Sequence, residues 1–482
     1  MSGLDVDLGL GRGLSFYRRQ KANFKVLNAR TTLGSFLGNL TAPYDQVYAK
    51  ELGASPVELG FLSSVGSAFA AAFALPGGFL ADRCGRKKLF LIGSAVGLLT
   101  PIAYFLAGNW IWLVPAYIFS NVMIALREPA YQAMYASSVK PDDRGIAFGV
   151  GTTLTSLPVM LAPIAAVELM GRPAVITAGE IRPLYLLQLI GLGALWLFIL
   201  VLLTEEGRNW VGLRSAFGAK DLLFLCPFIA VPPAACLVMG FAEGIEVRGL
   251  LPLMLMAGAP IVLLAAWYRS RNAEPTEGSL RQDVGKMLGL PGVKAWLAMK
   301  GTGAAAMGLA SPFWLVYAAY VIGISPAGLA LMVSLRTVGQ LVSALPWGIA
   351  ADRRGRKFTL LFGRSFMHIG ILCFIFSRDP WVLTFGYALM GVADGSASVW
   401  TVIRMELVPS ESRSAMASMD AFVWYMPVIF AALLGGIIYS FWTKLIFIMC
   451  LAIDVGIRMP LVAFGVPETS RRMRANAGAS VP

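Results

Sequence analysis

The sequence predicts an all-α polytopic membrane protein, and three observations carry that prediction. Hydrophobic residues make up 57% of the 482 positions and charged ones only 14%, with a mean hydropathy of +0.69. That apolar share exceeds the roughly 45–50% of soluble domains. Apolar stretches of about 20 residues recur along the whole chain, each long enough at ~1.5 Å rise per residue to cross a ~30 Å hydrocarbon core. The bases that give the net charge of +13 fall in short connections between these stretches. They do not gather on one soluble domain, as a nucleic-acid footprint would, so no nucleic-acid partner is expected and the lipid bilayer is the first partner.

The N-terminal 22 residues lack an apolar core followed by a small-residue cleavage site and read as a cytoplasmic tail. A first block of six spans follows within residues 23–204: Val26–Lys50, Val57–Ala81, Leu89–Ala107, Trp110–Ser138, Ile146–Met170 and Leu184–Leu203. Residues 205–293 form a linker with two further apolar runs, Leu222–Phe241 and Leu250–Trp267, joined by "AEGIEVRG". Pro227, Pro232 and Pro233 would kink the first run, so a re-entrant or interfacial segment stands beside the spanning reading. A second block of six occupies residues 294–465: Ala295–Ile322, Ala327–Ala351, Thr359–Phe376, Trp381–Leu407, Ala415–Tyr439 and Leu445–Phe464. A short tail, 466–482, closes the chain. The expected total is fourteen spans arranged six, two, six.

Orientation follows from Lys and Arg in the short connections. One side carries Arg83, Arg86, Lys87 and Lys88, then Lys140 and Arg144, then Arg353, Arg354, Arg356 and Lys357, and finally Arg471, Arg472 and Arg474. The other shows mostly single bases, such as Lys50, Arg248, Arg378 and Lys444. Both termini are expected on the cytoplasmic face of the plasma membrane. The five cysteines are scattered singly, with no CxxC pair and one histidine in the whole chain, so free thiols and neither structural metal nor cofactor are expected.

The two blocks repeat. "ALPGGFLADRCGRKKLFLIG" from Ala74 aligns with "ALPWGIAADRRGRKFTLLFG" from Ala344 at an offset of 270 residues, with twelve of twenty positions identical. Each copy joins the second and third spans of its block. A weaker echo, "KPDDRGIAFG" from Lys140 against "PSESRSAMAS" from Pro409, joins the fourth and fifth. Two six-helix halves related as parallel repeats, with a site between them near the midplane, is a secondary-transporter architecture.

The pattern G-x-x-x-D-R-x-G-R-K resembles the signature loop of the major facilitator superfamily. It is present as Gly78, Asp82, Arg83, Gly85, Arg86 and Lys87, and again as Gly348, Asp352, Arg353, Gly355, Arg356 and Lys357. The resemblance covers both blocks and not the central pair of runs, which some fourteen-span subfamilies also carry. It implies two bundles related by pseudo-two-fold symmetry, alternating access by rocking of the halves, and a small-molecule substrate whose class the family leaves open. In the family this loop latches the cytoplasmic face. Topology alone explains bases in any order; it does not explain Asp82, Asp352 or the glycines. Gly78 and Gly348 sit one turn before each Asp, where a missing side chain lets a neighbouring helix approach. The Asp is expected to accept from an Arg or from free N–H groups at a helix N-terminus. These residues are read as gating residues that do not touch substrate.

Ionisable residues inside spans are costly and are functional candidates by default. Asp45 lies in the outer half of the first span, Arg127 and Glu128 in the fourth, Arg336 in the eighth and Asp394 in the tenth. The first, fourth, seventh and tenth helices line the cavity in the family, so Asp45, Arg127, Glu128 and Asp394 are expected to face it. Neighbouring Arg127 and Glu128 point about 100° apart on a helix, so one of them can pair with another helix instead. Arg336 and Asp394 either form a buried pair between the eighth and tenth helices or serve the cavity. Glu128 or Asp394 is the candidate proton carrier. Arg127 and Arg336 suit a carboxylate or phosphate, because a guanidinium binds oxyanions bidentately, which tilts the substrate class toward anions. Lys300 and Asp420 are expected to snorkel from the cytoplasmic ends, and His368 to be a packing residue.

The family's fourth-span Arg of its proton-linked pattern would fall near Tyr117 and is absent, and around Pro163 the glycines of the antiporter motif are missing, which weakens drug/proton antiport. No G-x-x-x-x-G-K-[ST] loop supports a pump, and no nucleophile or metal constellation supports an enzyme. The sequence therefore predicts a monomeric, proton-coupled secondary transporter. An uncoupled facilitator and a transporter-like nutrient sensor are the alternatives, the short C-terminal tail favouring transport over sensing.

Overall fold

Lys25, Asn28, Arg30 and Asn39 make the first helix too polar to qualify as a span by hydropathy alone, yet it packs with the other helices. In the computed structural model, which describes residues 17–83, 86–140, 144–203, 285–409 and 412–469, this helix is α1, Ala22–Thr41, prolonged by a 3₁₀ turn, Ala42–Tyr44, and a helical end, Asp45–Glu51. The rest of the first half is α2 (Pro56–Arg83), α3 (Arg86–Leu106), α4 (Leu113–Ser137), α5 (Arg144–Leu169) and α6 (Ala178–Leu202). The second half is α7 (Val293–Ala310, continuing irregularly to Val321), α8 (Pro326–Arg354), α9 (Arg356–Phe376), α10 (Pro380–Asp394 and Ala397–Glu406), α11 (Arg413–Phe441) and α12 (Leu445–Ile453, continuing to Gly465). No strand occurs among the described residues. Eleven of the twelve rods are long and apolar enough to span a membrane. The two central runs, Leu222–Phe241 and Leu250–Trp267, lie outside the described residues; the twelve described helices, eleven of them candidate spans, correspond to the six-plus-six part of the expected fourteen.

Helix boundaries follow from local chemistry. Thr177 and Glu180 form a capping box that opens α6. Ser325 accepts from the Gly328 N–H (3.2 Å) ahead of Pro326 to open α8, and Asp379 accepts from Trp381 and Val382 (2.8 and 3.1 Å) to open α10. Apolar residues elsewhere point outward: Leu186, Ile190, Leu197 and Val201 form an exposed stripe at helical spacing along α6. In water such a stripe would be an aggregation surface; in hydrocarbon it is the lipid-facing wall.

Besides the irregular ends of α1 and α7, two departures from regularity lie at charged residues. The tenth span, expected to be continuous, breaks at Gly395–Ser396. Ser343 Oγ and Trp347 Nε1 of α8 donate to the Val392 carbonyl (3.0 and 2.7 Å), and Ser396 Oγ donates to that of Ala393 (2.7 Å). Side chains thus occupy carbonyls that would have propagated the helix beyond Asp394. In α12 π turns span Asp454–Arg458 and Leu461–Gly465; such turns recur at functional sites.

The halves meet along α2–α11 and α5–α8, and glycines let backbones touch. A Cβ on Gly60 would lie 2.3 Å from the Ala432 carbonyl oxygen, and one on Gly436 2.5 Å from that of Pro56. Both contacts are on the side opposite the termini, where Tyr320 Oη also donates to Glu51 Oε1 (2.5 Å) and joins the ends of α7 and α1. Within the second half a Cβ on Gly391 would sit 1.9 Å from the Arg336 carbonyl oxygen, whereas one on Gly348 would meet nothing within 4 Å. Gly391→Ala is therefore expected to force α8 from α10 and lower stability by about 1–3 kcal/mol. Gly348→Ala should leave it unchanged, and thermal unfolding of the two purified variants checks the contrast.

Candidate functional site

Four helices of the second half carry an aromatic or acidic residue and a charged one at i, i+4: Trp296 and Lys300 on α7, Trp400 and Arg404 on α10, Asp420 and Trp424 on α11, Asp454 and Arg458 on α12. Residues four apart share a helix face, so each pair presents its two side chains together. The faces converge on a cavity of about 440 Å³ that also reaches Gln340, Arg364 and Asp394.

Its charges form three clusters. Asp420 is shared by Lys300 Nζ and Arg404 Nη1, each 3.3 Å away, and accepts from Trp296 Nε1 at 2.8 Å. Lys300 and Asp420 pair about two turns inside their helices instead of snorkelling to the rim. Fully buried Asp454 accepts from Arg364 Nε (2.8 Å) and Nη2 (3.1 Å) and from Arg458 Nη1 (3.1 Å), and meets His368 Nε2 at 2.7 Å. His368, read from sequence as a packing residue, is thus part of a polar network. Arg336 forms the expected pair with Asp394, Nε and Nη2 each 2.9 Å from Oδ2, with its guanidinium 4.7 Å from the Tyr387 ring centre.

Five cations, Lys300, Arg336, Arg364, Arg404 and Arg458, thus face three carboxylates, Asp394, Asp420 and Asp454. Aromatic walls complete the site. Lys300 lies 4.9 Å from the Trp424 ring centre and Arg458 4.8 Å from that of Trp400. The glycine at 303 makes room for Arg458, whose Nε would lie 2.5 Å from a Cβ there, and that Nε is buried without a partner. An excess of positive charge beside tryptophan faces suits a small anion with a planar or apolar body.

The remaining sequence candidates separate. Asp45 accepts from Tyr185 Oη (2.8 Å) beside Tyr48 and Tyr104, and Tyr104 stacks on Tyr185 at 4.4 Å. Glu128 accepts from Gln132 (3.2 Å). Neither forms an ion pair with another described residue. Arg127, expected in the cavity, turns instead into the first half, where it packs beside Gly93 and lines a small cleft with Arg30.

In the second signature copy Gly355 (φ +96°) turns the chain between α8 and α9. The Glu468 carboxylate accepts from the Arg356 and Lys357 N–H groups (3.1 and 3.0 Å) at the start of α9, and the Arg356 guanidinium binds Glu406 and Thr469. Glu468 and Glu406 thereby hold the partners expected for Asp352, which is exposed and pairs with no other described residue; Arg353 is exposed beside it. In the first copy Gly78, Asp82 and Arg83 end α2 and Arg86 begins α3. Gly85 and the side chains of Asp82, Arg83 and Arg86 lie outside the described residues. Arg404 and the three tryptophans were not singled out from the sequence; their i, i+4 recurrence was the available signal.

The sequence profile described as Major Facilitator Superfamily matches residues 29–271 and 295–479, most of the chain. The chain belongs to the major facilitator superfamily. It is thus a multi-pass membrane protein of a transporter family, not of an enzyme family. Locally this superfamily member is similar to a putative sugar transporter of Arabidopsis thaliana, ERD6-like 13 (34% identity over 29% of this chain and 28% of the relative). It is also similar to the facilitated glucose transporter member 12 of solute carrier family 2 from Mus musculus (21% identity over 29% and 23%). It matches less than a third of the length of these relatives. Among solved structures, a POT family transporter in complex with a thioalcohol-conjugated peptide superposes with TM-score 0.66 at 15% identity over 92% of this chain and 95% of that one. A peptide transporter POT in complex with sulfate gives 0.62 at 17% identity over 94% of each. These likenesses establish the fold.

Proposed function

We propose that this superfamily member is a proton-coupled secondary transporter of a small organic anion, working by alternating access with both termini on the cytoplasmic face of the plasma membrane. The observation that carries the substrate class is the cavity in which Lys300, Arg404 and the unpartnered edge of Arg458 outnumber their carboxylates between Trp296, Trp400 and Trp424. The signature loops, with Asp82, Arg86, Asp352 and Arg356, are assigned to gating. The contacts on the side opposite the termini fit a conformation closed there and opening toward the terminal side.

Charge balance divides the carboxylates. Asp394, Asp420 and Asp454 each offset at least one cation, so protonating one would leave a buried guanidinium or ammonium unmatched. Asp45 touches a neutral partner and can exchange a proton without that penalty; Glu128 hydrogen-bonds only neutral Gln132 and forms no ion pair, although its charge acts at longer range on Arg30 and Arg127. Proton coupling is therefore assigned to Asp45 or Glu128, and Asp394, a sequence candidate for this role, is assigned to structure. Glu128→Gln is expected to abolish accumulation driven by a pH gradient while substrate exchange at equal pH continues. Counterflow and gradient-driven uptake measured on the same proteoliposomes check this; uptake that ignores the pH gradient and survives both Glu128→Gln and Asp45→Asn would leave a facilitator.

The names of the local relatives favour a second reading, a sugar or polyol transporter, in which the tryptophan faces stack on a ring. Uptake screens of aromatic and aliphatic carboxylates against hexoses and inositol, with and without a pH gradient, separate the two. Saturable binding with no flux for any solute would support the sensor reading instead.

A further inference from the structure

We propose that the cleft between α1, α3, α4 and α6 binds one small inorganic anion of halide size, at a site separate from the substrate cavity. Arg30 is 7% exposed, its Nε buried without a partner, and Ser94, also 7% exposed, has a buried Oγ without one. Both line this cleft together with Arg127, which makes no hydrogen bond or ion pair with another described residue. Two guanidinium groups and a hydroxyl thus converge in the membrane interior on a space that the protein does not fill. A buried cation without a counter-charge carries a heavy desolvation cost, and an anion in the cleft removes it.

The surroundings hold these groups in place, and the one acid whose charge reaches both arginines, Glu128, forms no ion pair with either. The Arg30 guanidinium lies 5.3 Å from the Phe90 ring centre. A Cβ on Gly93 would sit 3.1 Å from the Arg127 nitrogen, so the glycine lets α4 bring Arg127 against α3. Trp196 spends its N–H on the Leu91 carbonyl (3.1 Å) and closes the cleft as an apolar wall. Glu128, next to Arg127, turns to Gln132 and lies beyond ion-pair distance of either arginine.

The internal repeat sharpens the contrast. At the 270-residue offset Ser94 corresponds to Arg364, whose charge is met by Asp454 on α12. In the first half the counterpart helix α6 contributes Leu192, Trp196 and Ile199 to the cleft, and its single acid, Glu180, caps the far end. The second half thus carries its own counter-anion where the first does not. The cleft, about 30 Å³, exceeds the ~10–15 Å³ that one water-sized sphere needs and is a small fraction of the 440 Å³ cavity, so it admits a single ion and no ring-bearing substrate.

Thermal unfolding of the purified full chain in detergent, titrated with sodium chloride or bromide against gluconate at fixed ionic strength and pH, tests the proposal. A saturable halide-dependent rise in Tm is expected, lost in Arg127→Gln. Ser94→Ala, which removes a donor and no charge, is expected to weaken half-saturation about tenfold and keeps the test decisive if Arg127→Gln does not fold. Arg404→Gln should retain the rise. A rise that is absent in the wild type, that is equal in gluconate, or that disappears with Arg404→Gln and not with the cleft variants would overturn the site. The last outcome would place the anion in the large cavity, so the proposal fails separately from the transport reading.

Discussion

Asp454→Asn is expected to cost the folded protein about 3–5 kcal/mol, the usual consequence of removing one partner from a buried charge cluster. Asp454 is fully buried and accepts from both Arg364 and Arg458, with His368 at 2.7 Å. Asparagine preserves shape but leaves two guanidinium groups facing each other in the bundle, and its amide adds a donor where only acceptors are needed. The loss should show as a large drop in the monodisperse fraction after extraction and in the unfolding midpoint. A compensating change tests the cause: Arg364→Gln combined with Asp454→Asn should recover a substantial part of the loss, since it removes one of the stranded charges. If the double variant is as unstable as the sum of its single changes, the cluster is not coupled and the charge explanation fails.

The two six-helix halves were legible because a twenty-residue loop is nearly copied at a fixed offset, and because apolar length and loop charge are local properties of a chain. The Arg336–Asp394 pair was legible too, as two lone charges on helices expected to be neighbours. The rest of the site was not, for a physical reason. Asp454 and Asp420 each draw partners from other helices, Arg364 and His368 in one case and Lys300 and Arg404 in the other, so their meaning resides in packing that no local pattern states. Arg127 shows the same limit in reverse. Its helix was read as cavity-lining, but α4 has two charged residues on different faces, and the glycine at position 93 decides which face meets α3. The break in α10 likewise depends on Ser343 and Trp347 of another helix, reaching Val392 across the interface.

Substrate affinity should depend most on Arg404. Its guanidinium shares Asp420 with Lys300 at 3.3 Å, so one carboxylate offsets two cations and donor capacity remains for a ligand. A charge-assisted hydrogen bond contributes about 1.5–3 kcal/mol, so Arg404→Gln is expected to raise the apparent Kd for the transported anion roughly ten- to hundredfold. Stability should change little, because Asp420 keeps Lys300 and the Trp296 N–H. Arg404→Lys should restore less than half of the lost binding free energy, since an ammonium keeps the charge and loses the planar fork. Trp400→Ala serves as the second axis: it removes the ring beside Arg458 without touching Asp420, and should weaken ring-bearing anions more than short aliphatic ones. Binding isotherms on the purified protein with a matched series of aromatic and aliphatic carboxylates read both effects. An Arg404→Gln variant that binds every anion as the wild type does would move the substrate out of this cavity, and a Trp400→Ala variant that weakens all of them equally would remove the ring from the recognition.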